Sequence, residues 1–212
     1  MPGAVKSDVL LLGETWGDAH RLVIADRLDS AMNYIFRDIA VDWLARGKIS
    51  PSDADHRINR MLAQYPYEVS LRMYNPLDSH DTARFRTLCG DKRMHALAVV
   101  LQMTLPGCPA VFYGDEIGLE GENDPGCRLC MVWEGSRQDA VLLALYRKLI
   151  SLRNCLPALR AGEYHREVPS GEHLPVSYIQ DHCVWQHSHL YSKRNVSSGL
   201  YPQFSDRRYH HK

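Results

Sequence analysis

Two segments of the chain share a pattern that restricts the fold more than any other feature: a short apolar run that ends in glycine and acidic residues. They are DVLLLGE (residues 8–14) and CPAVFYGDEIG (residues 108–118). An apolar run of this length, bounded by such residues, is typical of a parallel strand that is covered on both faces. The sequence therefore predicts an α/β protein built from strand–helix–strand units.

Segments with a helical spacing of apolar residues alternate with the predicted strands. Two weaker strand candidates lie at 29–34 and 73–77. The helical segments are 37–45, Pro51 to Leu62 with Ser50 as the candidate N-cap, 91–105 and 136–160. Four strand–helix units make about half of a (β/α)8 barrel, which needs roughly 250 residues. We therefore predict a partial barrel over residues 1–164, followed by an irregular tail over 165–212.

The net charge excludes two classes of partner, and the first residues exclude a signal peptide and a membrane span. The 25 basic and 25 acidic side chains give a formal net charge of zero, and no long run of either sign occurs. Such a chain has no electrostatic footprint for nucleic acid or for an anionic membrane surface. The apolar run Val9–Leu12 is too short for a signal peptide or a membrane span. We predict a cytoplasmic protein that acts on a neutral or small partner.

The cysteines and histidines do not favour a metal site. Six cysteines at irregular spacings indicate a reducing compartment rather than disulfides. Cys127 and Cys130 form a tight pair, but the second pair or nearby histidine of a zinc or redox site is missing. In the tail, His187, His189 and Cys183 could bind a metal. Seven of the eleven histidines lie in this tail without a sustained period, which favours an irregular extension instead.

Acidic residues gather where three of the predicted strands end. They occur in Gly13-Glu14-Thr15-Trp16, Asp78-Ser79-His80-Asp81 and Tyr113-Gly114-Asp115-Glu116. In a parallel α/β fold these ends meet at one mouth, and cleavage of a glycosidic bond needs two carboxyl groups, one protonated and one ionised. The indole beside the first acid could stack on a sugar ring. Each acid could equally cap a helix or form a buried structural pair, so both interpretations stay open.

Four blocks of sequence carry a more specific signal than any single acid. They are LLGETW (11–16), MNY (32–34), NPLDSHDTARF (75–85) and GCPAVFYGDEIGLEGENDPGCRLCMVW (107–133). Together and in this order they resemble the α-amylase family of glycoside hydrolases, in particular its neopullulanase and cyclomaltodextrinase branch. The resemblance implies the second half of a (β/α)8 barrel, strands five to eight of the family. It also implies retaining hydrolysis of α-1,4 or α-1,6 glucans or of cyclodextrins.

The resemblance implies roles for individual residues near the strand ends. Glu14 matches the general acid/base, which protonates the leaving oxygen and then activates water. Asp81 matches the carboxylate that stabilises the oxocarbenium-like transition state, and His80 matches the histidine that hydrogen-bonds the same sugar. Trp16 and Tyr34 match the aromatic walls on the leaving-group side.

Further positions of the resemblance lie in the last block. Asp124 and Arg128 match the polar pair that binds sugar residues further along the non-reducing side. Asp115 and Glu116 match a structural segment at a strand end. Because a general acid must be protonated near neutral pH, the apolar neighbours of Glu14 are expected to raise its pKa by desolvation.

The sequence departs from the family's pattern before Glu14. The family's nucleophile is an aspartate in a Gly-x-Arg-x-Asp pattern, and the thirteen residues that precede Glu14 do not contain it. Retaining hydrolysis needs that nucleophile for its covalent intermediate, so we expect the chain alone to be inactive. A non-catalytic glucan-binding protein and a transglycosylase of the same family stay open as alternatives. No metal or other cofactor is expected, while calcium binding and the oligomeric state stay open.

Overall fold

The computed structural model of the protein describes residues 8–24, 27–166, 176–180 and 183–187. The strands are β1 (Leu12–Gly13), β2 (Ser30–Ala31), β3 (Tyr74–Pro76), β4 (Cys108–Ala110), β5 (Glu163–Arg166), β6 (Val176–Gln180) and β7 (Cys183–His187). The α-helices are α1 (His20–Ile24), α2 (Tyr34–Ala40), α3 (Pro51–Leu62), α4 (Tyr67–Ser70), α5 (Phe85–Cys89), α6 (Lys92–Thr104), α7 (Ala140–Cys155) and α8 (Ala158–Ala161). Short turns of other helix types are Val41–Ala45 (π) and Asp115–Ile117, Gly126–Arg128 and Gly135–Arg137 (3₁₀).

The first four strands form a parallel array in chain order. β1 pairs with β2 through Leu12 opposite Ser30, and β3 pairs with β4 through Tyr74 opposite Cys108. A parallel bridge between Met32 and Tyr74 joins the two pairs. Helices lie between successive strands, and α7 follows β4. This order is that of four βα units of a (β/α)8 barrel, which confirms the predicted partial barrel.

Local side-chain signals decide where the helices begin. α3 begins as predicted, because Ser50 Oγ accepts from the backbone N–H of Asp53 while the Asp53 carboxylate accepts from the Ser50 N–H, both at 3.1 Å. The predicted strand over 29–34 is wrong at its end. There Asn33 Oδ1 accepts a backbone N–H at 3.2 Å and caps α2, so Tyr34 is helical.

The longest predicted helix, over 136–160, is shorter in the structure. The side chain of Asp139 accepts the backbone N–H of Leu142 at 3.2 Å and starts α7 at Ala140. Pro157 then separates α7 from α8, as a residue that cannot continue the helix is expected to do. The residues before Asp139 form a 3₁₀ turn instead.

The helices form the main apolar core. Its largest fully buried apolar side chains include Phe36, Trp43, Phe85, Leu101 and Leu105, and Leu145, Tyr146 and Leu149 of α7 pack into the same cluster. Each fully buried large apolar side chain contributes about 1.5–3 kcal/mol relative to leaving it exposed. The segments that flank the outer strands differ: Leu10 and Leu12 at β1, and Val111 and Tyr113 after β4, are exposed.

A buried polar network joins the parallel strands to the helical layer. Asn33 Nδ2 donates to Asn75 Oδ1 at 2.8 Å, and Asn75 Nδ2 donates to the carbonyl oxygen of Pro106 at 2.9 Å. Gln102 of α6 donates to the carbonyl oxygen of Asn75 at 3.0 Å. Gly107 makes this packing possible, because it has a φ of 120° and a Cβ there would lie 2.4 Å from Asn75 Nδ2.

The prediction of an irregular tail is wrong for the strands that the structure describes there. β5, β6 and β7 form an antiparallel three-stranded sheet, with Glu163 opposite Ile179 and Val176 opposite His187. Strands of four or five residues offer little periodicity to detect. The side chains of the tail metal candidates Cys183, His187 and His189 lie outside the described residues. In the described part of the chain, no helix has the length and apolar character needed to cross a membrane.

Candidate active site

Two strand ends bring the predicted catalytic carboxylates together. Glu14 directly follows β1, and His80 and Asp81 lie in the loop after β3. His80 Nε2 is 3.8 Å from Glu14 Oε1 and 3.4 Å from Asp81 Oδ1. Oxygen and nitrogen atoms of the three side chains all lie within 4.8 Å of one another. The parallel arrangement of β1 and β3 thus assembles one cluster from residues that are far apart in the sequence.

Arg128 adds a cation to this cluster. Its Nη2 lies 3.1 Å from Asp81 Oδ1, and its Nε lies 2.7 Å from Asp124 Oδ1. The same Nε donates to the carbonyl oxygen of His80 at 3.0 Å. Arg128 therefore links Asp124, the other member of the predicted sugar-binding pair, to the predicted transition-state stabiliser. These side chains are partly exposed, so the ion pairs can rearrange when a ligand binds.

An aromatic pair stands beside the cluster. The rings of Trp16 and Tyr34 stack, with centroids 4.1 Å apart and an interplanar angle of 23°. The Trp16 side chain is 63% exposed and presents a free face, whereas Tyr34 is buried beneath it. Burial raises the pKa of Tyr34, whose hydroxyl lies 3.0 Å from Ser79 Oγ. Of the two predicted aromatic walls, only Trp16 is accessible to a sugar ring.

Ser79 is a residue of this site that the sequence interpretation did not single out. Its Oγ accepts the backbone N–H of Asp81 at 3.2 Å and also contacts Tyr34. The backbone N–H of Ser79 in turn donates to Thr82 Oγ1 at 3.0 Å. The sequence DSHDT does carry a signal for Ser79, because it has a hydroxyl residue on either side of His80 and Asp81. Serine and threonine commonly stabilise such turns through hydrogen bonds to the backbone.

The surroundings of Glu14 differ from the prediction. The apolar neighbours were expected to desolvate its carboxyl group, but the Glu14 side chain is 50% exposed. Leu12, which precedes it on β1, is also exposed, and Trp16 packs on Tyr34. The expected enclosure is absent because no described element covers this side of β1.

The Glu14, His80 and Asp81 cluster is the group of possible metal ligands found among the described residues. Two carboxylates and an imidazole would suit several divalent ions. The guanidinium of Arg128, however, lies 3.1 Å from Asp81 Oδ1 and supplies the positive charge that a cation would bring. We therefore assign no metal to these residues.

The third predicted acidic strand end lies apart from this cluster. Asp115 is buried, and its Oδ1 lies 3.1 Å from Arg84 Nη1. Glu116 accepts the backbone N–H of Gly114 at 2.9 Å. Neither carboxylate belongs to the Glu14 cluster. The buried Arg84, in the turn after Asp81, was not predicted, because arginine in a polar segment is ordinarily solvent-exposed.

Comparison with known families shows to which family this chain belongs. The family described as "Alpha amylase, catalytic domain" matches residues 2–162 of the chain. The chain belongs to the α-amylase family. Its residues 2–162 correspond to part of the catalytic barrel of these glycosidases.

Curated relatives from the α-amylase family agree with this assignment. Neopullulanase 2 of Thermoactinomyces vulgaris is 38% identical over 185 residues, which cover 85% of this chain and 32% of the relative. Cyclomaltodextrinase of Geobacillus thermopakistaniensis is 42% identical over 161 residues, covering 76% and 27% respectively. The chain thus spans about a third or less of the length of these two proteins.

Solved structures of related enzymes share the fold. The cyclic α-maltosyl-(1→6)-maltose hydrolase of Arthrobacter globiformis superposes with a TM-score of 0.83 at 31% identity, covering 87% of this chain and 42% of that one. A cyclomaltodextrinase superposes with a TM-score of 0.82 at 35% identity, covering 87% and 32%. The resemblance to the neopullulanase and cyclomaltodextrinase branch is therefore confirmed.

Proposed function

We propose that this chain carries part of the active site of a retaining glycoside hydrolase for α-1,4 or α-1,6 glucans or cyclodextrins. The observation that supports it best is the cluster of Glu14, His80 and Asp81 beside the free face of Trp16. In this proposal Glu14 is the general acid/base, and Asp81 stabilises positive charge at the reacting carbon. His80, Arg128 and Asp124 contact the sugar hydroxyls.

We further propose that the nucleophile comes from outside the cluster described here. Among the described residues, the group around Glu14 contains one other carboxylate, Asp81, which pairs with Arg128 and is assigned the stabilising role. Without a nucleophile the covalent glycosyl-enzyme intermediate cannot form. The chain on its own is then inactive, and a cytoplasmic location stays a prediction from its sequence.

The test is hydrolysis of maltotriose and of β-cyclodextrin by the purified chain, beside Glu14→Gln and the control Glu116→Gln. We expect no turnover from any of them. Turnover of the wild-type chain that Glu14→Gln abolishes would show that the nucleophile is present, and Asp81→Asn would then be tested first. If the wild-type chain turns over, products analysed with and without added glucose as acceptor would separate hydrolysis from transglycosylation.

A glucan-binding role without chemistry is the second candidate. It is favoured by the exposed face of Trp16 and by the partly exposed Arg128 and Asp124, which leave sugar-binding groups accessible. Calorimetric titration with maltotriose tests it, with Trp16→Ala as the variant that removes the stacking face. Binding that is lost in Trp16→Ala supports either candidate, and turnover by the wild-type chain in the hydrolysis assay would exclude this second one.

A further inference from the structure

A buried charge cluster stands at the start of the loop that carries His80 and Asp81. The side chains of Asp78, Arg84 and Asp115 are only 1–2% exposed. Arg84 Nη1 lies 3.1 Å from Asp115 Oδ1 and 3.8 Å from Asp78 Oδ1. We propose that Asp78 and Asp115 share one proton, so that the cluster is neutral, and that it acts as a positioning device for the His80–Asp81 loop.

The charge balance of the cluster supports the shared proton. Two ionised carboxylates against one guanidinium would leave a buried negative charge, which is costly without a partner. Arg37 also acts on Asp78, but its Nη1 lies 2.9 Å from Asp38 Oδ1. Tyr146 lies within electrostatic reach of both carboxyl groups, and it adds no positive charge. One proton between the two carboxyl groups removes the imbalance.

The hydrogen bonds indicate where the proton lies. Asp78 Oδ2 accepts the backbone N–H of Phe85 at 2.6 Å, whereas its buried Oδ1 accepts no hydrogen bond from a described group. Both Asp115 oxygens accept hydrogen bonds, Oδ1 from Arg84 Nη1 at 3.1 Å and Oδ2 from the backbone N–H of Phe112 at 3.2 Å. Burial and the charge of Asp78 raise the pKa of Asp115 well above its usual range, and burial also raises the pKa of Asp78. The pair therefore has room for one proton at Asp78 Oδ1, which no other described donor reaches.

Contacts run from this cluster to the predicted sugar-binding residues. Arg84 Nε donates to the carbonyl oxygen of Cys127 at 3.0 Å, and the Cys127 thiol lies 3.0 Å from the carbonyl oxygen of His80. Arg128, the next residue along the chain, contacts both His80 and Asp81. If the second carboxyl group ionised, the new negative charge would draw Arg84 toward it and away from Cys127. The backbone support of His80 would weaken as a result.

The shared proton is tested by infrared spectroscopy of the chain labelled with ¹³C at the aspartate carboxyl groups. At pH 7 we expect a C=O stretching band of one protonated aspartic acid. Asp115→Asn and Asp78→Asn should each lose this band, because either variant leaves a single carboxylate that pairs with Arg84. Glu116→Gln should keep it. Absence of the band from the wild-type chain, or its survival in both asparagine variants, would overturn the proposal.

A double-mutant cycle gives an independent test through thermal unfolding. Each single asparagine variant keeps one negative charge and one donor between the pair, so each should shift Tm little. The double variant Asp78→Asn/Asp115→Asn leaves Arg84 buried without a carboxylate and should lower Tm far more than the two single shifts together. Additive shifts would contradict a shared proton. If the double variant does not fold, the infrared spectra of the wild-type chain and of the two single variants still test the shared proton.

The positioning role rests on the proposed sugar site, whereas the shared proton does not. Maltotriose affinity, measured by calorimetry across the alkaline pH range, should fall in the wild-type chain where the protonated band disappears. Asp115→Asn should not follow this fall, because its amide cannot ionise. Affinity that falls equally in both proteins would reject the positioning role. If the wild-type chain binds no maltotriose at any pH, the proposed function fails, while the infrared band still tests the proton.

Discussion

The helical layer and the strand-end site of this chain differ in how far their side chains are buried. In the helical layer, large side chains such as Trp43 and Leu101 are fully buried, and α2, α5, α6 and α7 pack into one cluster. At the site, Glu14 is half exposed, and Leu10 and Leu12 near it face solvent. The helices thus bury their apolar surface with the residues described here. The predicted catalytic groups lie close together, but the described residues do not enclose them.

Because of this difference, the stability of the helical layer and the chemistry of the site depend on different residues. Apolar burial scales with area removed from water, so the helical layer can be stable without the site. A general acid, in contrast, needs a dry environment to hold its proton near neutral pH. Glu14, the residue proposed for this role, is half exposed although His80 and Asp81 lie beside it. Sites at strand ends of a barrel depend on several strands at once, which explains why the two regions diverge.

The largest expected effect is a cavity in the helical layer. Leu101→Ala removes a side chain with 0% exposure and should lower the free energy of unfolding by about 2–5 kcal/mol. The matched variant Leu10→Ala changes a leucine that is 57% exposed and should cost less than about 0.5 kcal/mol. Denaturant titrations of both variants measure the contrast. Similar losses would mean that the strand region is as tightly packed as the helices.

The second prediction concerns the buried His95 of α6. Burial lowers its pKa from 6.5 to about 4, with Arg86 lowering it further and Asp139 opposing this. Neither ring nitrogen has a hydrogen-bond partner among the described groups. The unfolded chain therefore takes up a proton at a higher pH than the folded chain does. Stability is complete above about pH 6.5 and falls by about 3 kcal/mol as the pH drops toward 4.

His95→Leu isolates this effect from other titrating groups. The difference in unfolding free energy between the wild-type chain and the variant is measured in denaturant at pH 7, 6 and 5. This difference should shift in favour of the variant as the pH falls, because leucine takes up no proton. A difference that stays constant with pH would show that His95 is not buried in the neutral form.

The features that the sequence could predict are those that depend on residues close together in the chain. The N-cap Ser50 with Pro51 and Asp53 specified the start of α3 through contacts three residues apart. The alternation of strands and helices placed Glu14, His80 and Asp81 at one mouth, because parallel topology brings strand ends together. Tyr34 was misassigned, since a single capping hydrogen bond from the Phe36 N–H to Asn33 Oδ1 overrode its strand propensity.

Other features required the three-dimensional packing. The contact of Arg128 with Asp81 joins two loops that are distant in sequence, and no spacing rule identifies such a pair. Arg84 and Asp115 are ionisable residues in polar segments, which predicts exposure, yet both are buried, because Arg84 lies 3.1 Å from Asp115 and 3.8 Å from Asp78. The exposure of the Glu14 side chain depends on which elements pack over β1. The residues next to Glu14 in the sequence do not determine this packing.

The third prediction tests whether α3 is stabilised by its own local signals. Ser50→Ala removes the hydroxyl that accepts the Asp53 N–H and should cost about 1 kcal/mol of unfolding free energy. Ser52→Ala, at an exposed position within the same first turn, serves as the control and should have little effect. Equal effects of the two variants in denaturant titrations would show that tertiary packing alone positions the helix start.

The smallest expected effect is at the site itself. Glu14→Gln keeps the shape of a half-exposed side chain whose Oε1 lies 3.8 Å from His80 Nε2. Such a change should alter the unfolding free energy by less than about 0.5 kcal/mol, as for most exposed substitutions. Denaturant titration of the variant beside the wild-type chain measures it. A loss above about 1 kcal/mol would mean that Glu14 is held in a closed site, and the contrast between the two regions would then be wrong. If the loss is small, any change in turnover or binding in Glu14→Gln reports on chemistry and not on folding.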